Sequence, residues 1–152
     1  MHIYKLNRLL AATVITLLAL AHALSAEIKF NADNNLIAVK GYDVVAYFTS
    51  GEPTQGSDEF EHVWRDVRWQ FSSEQNKQMF ASDPSRFAPR YGGYCAGGVA
   101  LGNRAPIDPE AFVIVDGKLY LNFDKPTAEK FAASEDTIAK ADENWEKMSA
   151  AN

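Results

Sequence analysis

Only one cysteine, Cys95, occurs in the 152 residues, and of three histidines only His62 lies beyond residue 26. A single thiol excludes an intramolecular disulfide, so packing alone must hold the fold. One thiol and one imidazole also exclude a four-ligand zinc site of the usual cysteine–histidine kind within one chain. Basic charge is in deficit: 15 Lys and Arg stand against 20 Asp and Glu, a net charge of −5. That balance lacks the basic face needed to bind nucleic acid or an anionic membrane. Neither a phosphate-cradling Gly-Lys-Ser/Thr run nor a dinucleotide fingerprint is present, and no nucleophile elbow surrounds Ser72 or Ser73. Internal repeats, low-complexity tracts and linkers are lacking too.

The longest apolar run, residues 9–20, is shorter than the ~20 residues that span a bilayer. Lys5 and Arg8 precede it, and small residues follow at 21–26, which is the pattern of a cleavable export signal. Paired arginines and a lipid-acceptor cysteine are missing, so a Sec-type signal cut near Ala26 is expected. The expected division is a signal peptide over 1–26 and one domain over 27–152, periplasmic or secreted, with no membrane insertion after signal removal. Removing 26 of the 152 residues leaves 126, a length for one domain. All three tryptophans and all nine phenylalanines lie past residue 26, enough to build a core.

Residues 36–39 form a short apolar, extended run. Asp43 is placed to cap a brief helical turn that stops near Gly51 and Pro53. Residues 59–65 alternate, with Phe60, His62 and Trp64 on one face, and 67–71 repeat the alternation. The two predict an antiparallel hairpin turning at Arg65-Asp66. Ser72 to Gln75 matches a capping box, with Ser72 as N-cap of a helix that carries Met79 and Phe80 and ends before Asp83-Pro84. The glycine-rich run 91–98 reads as a tight loop leading into a short helix through Leu101. A second hairpin turns at Asp116-Gly117. Pro126 suits the first turn of a following helix, and a last helix after Ser134 carries the stripe Ile138, Ala141, Trp145 and Met148. The predicted class is α+β: two antiparallel hairpins packed with short helices and a C-terminal helix.

Several of these motifs, in this order, resemble the YHS domain family in its exported, single-domain bacterial form. The resemblance covers residues 36–145. It is carried by Gly41-Tyr42-Asp43, Val45-Ala46-Tyr47-Phe48, His62 with Trp64, and Trp69-Gln70-Phe71-Ser72-Ser73. It continues through Asp83-Pro84, Tyr91-Gly92-Gly93-Tyr94-Cys95-Ala96, Asp108-Pro109 and the segment from Val115 to Asn122. Short YHS modules accompany heavy-metal ATPases and metal reductases, so the resemblance implies metal handling, copper above all, and a metal-handling protein partner. Those modules often carry cysteines at the strand–helix junction; here that junction, Phe71-Ser72-Ser73, holds none.

Three functions are open from the residues. The first is a non-enzymatic domain that binds a soft transition metal, copper favoured, through Cys95 and His62. Asp43 would orient the imidazole, Met79 could add a thioether, and homodimerisation could complete the site. The second is a thiol-dependent enzyme with Cys95 as nucleophile, His62 as base, Asp43 as orienter and the Gly92-Gly93 backbone as oxyanion donors. The third is an interaction domain without chemistry that uses an exposed aromatic surface. Tyr42, Tyr47, Tyr91 and Tyr94, with Gly92 and Gly93, could line a pocket around the thiol. Each residue also has a plainer role: Cys95 and Met79 as core filling, His62 as a half-buried strand residue, Asp43 as a helix cap, and the tyrosines as packing.

Overall fold

The computed structural model describes residues 30–150; the expected export signal lies outside them. The 36–39 run is extended only at Ile37 and Ala38, which bridge to Arg68 and Ala32. The chain turns sharply on either side, with positive φ at Leu36 and at Val39 and Lys40, and a 3-10 turn follows at Val39–Gly41. Helix α1, Ala46–Thr49, is a single turn.

Strands β1, Ser57–Trp64, and β2, Val67–Phe71, pair antiparallel with His62 opposite Trp69. Arg65 and Asp66 form the two-residue connection, both with positive φ (51° and 62°). That is the turn whose twist matches a hairpin, yet it normally takes Asn-Gly or Asp-Gly. Helix α2, Glu74–Ser82, stops before Pro84, which opens the short helix α3, Pro84–Phe87. The N-cap of α2 is Ser73, one residue later than the capping-box reading: its hydroxyl accepts the N–H of Asn76 at 3.1 Å. Ser72 is diverted elsewhere, as described below.

After a 3-10 turn at Arg90–Gly93, helix α4 runs Ala96–Ala100. Strands β3, Asp108–Val115, and β4, Lys118–Asn122, form the second hairpin. Asp116 and Gly117 both have positive φ there, as the Asp-Gly signal predicts. Helix α5, Lys125–Ala132, is capped by Asp124 and has Pro126 in its first turn. Helix α6, Glu135–Ala150, completes the α+β fold.

Two apolar cores explain how these pieces pack. The first gathers Val44, Val45, Tyr47, Trp69, Phe71, Phe80, Phe87 and Cys95 around the first hairpin. The second joins Tyr91, Val99, Phe131 and Ala141, with Ile138, Trp145 and Met148 of α6 packed against it. Strand β4 divides them: Leu119 and Leu121 enter the first core, and Tyr120, pointing the other way, enters the second. A strand covered on both faces needs an unbroken apolar run, and Leu-Tyr-Leu is one.

Candidate functional site

Asp43 is fully buried, and its carboxylate accepts five hydrogen bonds. Oδ1 accepts the N–H of Val45 at 2.9 Å and of Ala46 at 3.2 Å. Oδ2 accepts the N–H and hydroxyl of Ser72 at 2.8 and 2.6 Å and the side-chain amide of Asn76 at 2.7 Å. These bonds start the α1 turn and tie it to the β2–α2 junction. They also explain why Ser72 does not cap α2. None of the five donors is His62, so the carboxylate serves the cap role and not the orientation of the imidazole.

His62 is half-buried and shares with Trp64 the strand face that meets Phe80, as a period of two requires. Its ring meets Phe80 edge-on at 6.0 Å and makes no hydrogen bond among the described residues. Cys95 is 2% exposed and packs in the first core. It is the N-cap of α4: its Sγ accepts the N–H of Gly98 at 3.4 Å, and its own N–H donates to the carbonyl of Ala105 at 3.1 Å. Sulfur and imidazole are therefore joined by no hydrogen bond. Among the described residues no group of three or more His, Cys, Asp and Glu side chains is placed to share a metal ion. Met79 is half-buried against the first core.

Glycine is required beside the thiol by close approach. A Cβ at Gly97 would stand 2.6 Å from Cγ2 of Thr127, so α4 and α5 could not pack as they do. The N–H of Gly97 donates to Oδ1 of Asn122 at 3.1 Å, while the buried Nδ2 of Asn122 has no partner among the described residues.

The four tyrosines are divided between the two cores, Tyr42 and Tyr47 with the first and Tyr91 and Tyr94 with the second. Tyr47 is buried in the first core, donates to the carbonyl of Pro109 at 3.0 Å and packs on Phe112. Tyr91 is buried in the second core and donates to Oδ1 of Asp142 at 3.0 Å. Tyr94 lies against Trp145 and beneath Arg104. Tyr42 is half-buried at the edge of the first core and bridges to Gln55.

Burial holds the Tyr47 phenol above its usual value of ~10, and burial together with Asp142 does the same for Tyr91. The unfolded chain therefore loses these protons first as pH rises. Their contribution to stability is intact below pH ~10 and falls above it, by up to ~1.4 kcal/mol per pH unit for each group. The urea midpoint should decline above pH ~10, and Tyr47→Phe should make that decline shallower.

A cleft of about 170 Å³ lies elsewhere, lined by Trp64 and Arg65 of the first hairpin, Arg90 and Tyr91 of the 3-10 turn, Trp145 of α6, and Phe30. The guanidinium of Arg65 sits 4.7 Å over the Trp64 ring. It has no acidic partner among the described residues. Arg90, by contrast, is paired with Asp142 at 3.2 Å. Tyr91 has φ 56°, the left-handed region, as does Arg65. Non-glycine residues pay for that conformation, and such strain concentrates at functional sites. Another hollow, about 280 Å³ beside β3 and α5, carries Glu110, Glu129 and Lys125 together, a mixed and solvated set of charges.

Sequence reasoning singled out Trp64 and Tyr91 but passed over Arg65 and Trp145 as a turn residue and a core stripe. The readable signal was the arginine in a two-residue hairpin turn that favours asparagine. Compared with protein-family models, curated proteins and solved structures, the chain has no match, so its function is read from this geometry alone.

Proposed function

We propose that the protein is an exported, non-catalytic binding domain of the YHS kind whose ligand site is the arginine–aromatic cleft. The observation that carries this reading is Arg65, a guanidinium without an acidic partner among the described residues, held over an indole at an aromatic hollow. An unpaired cation on a ring face keeps both its charge and its hydrogen-bond fork available to a ligand. The groups that would support chemistry are otherwise engaged: Asp43 is saturated by five donors and the Cys95 sulfur is packed in the core. The basic and apolar pattern of residues 5–26 supports export.

A panel of single-ring compounds, followed by the indole N–H signals of the three tryptophans, tests the cleft. Trp64 and Trp145 should shift most, and Trp69, which does not line the cleft but bonds to the Trp64 carbonyl at 3.2 Å, should shift less. Shifts confined to residues around Cys95 and His62 would move the site there and end this reading.

Soft-metal binding is the second reading, favoured by one observation: the ring nitrogens of His62 make no hydrogen bond among the described residues. It requires Cys95 to leave its packed position, or a second copy or a metal-handling partner to supply further donors. Copper(I) titration against a competing chelator separates the two. The cleft reading expects wild type, Cys95→Ser and His62→Ala to bind equally weakly. A tenfold or greater loss in either variant would favour copper.

A further inference from the structure

From the charge and size of the cleft we infer that its ligand is a small planar carboxylate, a single ring bearing one acid group; this rests on the cleft being the binding site. Size sets the first limit. At ~30 Å³ per water, 170 Å³ holds about five or six waters, well below the ~300–1,000 Å³ of sites for drug-sized molecules. One ring with a short substituent fills that space, and anything larger would extend out of the open mouth into solvent.

The lining sets the second limit. Trp64, Trp145 and Phe30, each only partly buried, offer ring surface, which favours a flat apolar body. Arg65 offers the planar fork that matches a carboxylate. The chain as a whole is acidic, at −5, so this cationic mouth is a local departure from its charge. Arg90 lines the same cleft but is held by Asp142, which leaves Arg65 as the recognising cation.

The backbone at Arg65 makes the assignment testable. Arg65 is the first central residue of a turn with positive φ at both central positions, where asparagine is preferred and arginine is strained. Stability alone would place asparagine there. Positive φ also occurs at Leu36, Val39, Lys40, Asp66 and Asp116, so the strain does not mark the site by itself; it shows that Arg65 can be replaced without loss of the turn.

That argument also provides the test. Arg65→Asn removes the guanidinium while suiting the turn better, so the variant should fold with an equal or higher urea midpoint. The probes are benzoate, benzyl alcohol and acetate, followed at the Trp64 and Trp145 indole signals. Benzoate should bind wild type at least tenfold more tightly than either other probe, and Arg65→Asn should weaken benzoate at least tenfold. Lys118→Asn, the same charge change at the exposed first residue of β4, should leave benzoate binding unaltered. Benzyl alcohol binding as tightly as benzoate, or benzoate binding that ignores Arg65→Asn, would overturn the carboxylate assignment and leave the cleft as a site for neutral rings. If no probe moves either indole, the cleft reading falls with it.

Discussion

Asp43→Ala should be among the most damaging single substitutions in the chain, lowering stability by about 3–5 kcal/mol in urea unfolding. Hydrogen bonds to a charged group contribute about 1.5–3 kcal/mol each, and a buried donor left unpaired costs about 1–3 kcal/mol. Five donors lose their acceptor at once: the N–H groups of Val45, Ala46 and Ser72, the Ser72 hydroxyl and the Asn76 amide. Rearrangement and water entry recover part of that sum, which is why the expected loss lies below it. With total stabilities of about 5–15 kcal/mol for single domains, the variant would stand near the limit of folding. Asp43→Asn should be milder, because one carbonyl oxygen remains as acceptor.

The same residue decides between a structural and an orienting role. A carboxylate that held His62 would couple energetically to it, whereas the observed bonds share no partner with the imidazole. The double variant Asp43→Asn with His62→Ala should therefore show additive losses within ~0.5 kcal/mol. Coupling above ~1 kcal/mol would restore an Asp43–His62 link and with it the dyad chemistry.

Phe80→Ala carries the second large effect, an expected loss of about 3–5 kcal/mol. The ring is fully buried and lies 5.1 Å from both Trp69 and Phe71 and 5.8 Å from Trp64. Removing it opens a cavity between α2 and the first hairpin that rigid aromatic neighbours cannot collapse into. His62, which meets Phe80 edge-on, should gain mobility, visible as a sharpened or shifted imidazole signal. Met79→Leu, one residue away and half-buried, should cost less than ~1.5 kcal/mol because volume is nearly conserved. A Met79→Leu loss as large as that of Phe80→Ala would mean the thioether does more than fill space.

Local rules were legible along much of the chain. Asp116-Gly117 and Arg65-Asp66 mark turns because the strands on either side alternate and the intervening pair is short. Pro84 ends one helix and begins another because it lacks an N–H and restricts the residue before it. The capping box failed by one residue for a nonlocal reason: Ser72 and Ser73 are equally good caps, and Asp43, 29 residues upstream, takes Ser72. The 36–39 run failed in a similar way, since the strained turns at Leu36, Val39 and Lys40 follow from its docking on Arg68.

The amino-acid order by itself determined the two hairpins, the face on which His62 stands, the helix over residues 135–150 and the α+β class, because periodicity and turn chemistry act between near neighbours. Tertiary structure alone decided that β4 would be covered on both faces, that the tyrosines would divide between two cores, and that Cys95 would be packed in the first core. It also brought Arg65 and Trp145, eighty residues apart, to one cleft. Such meetings depend on how whole elements stack to bury apolar surface, a sum over many weak contacts that no short stretch of residues encodes.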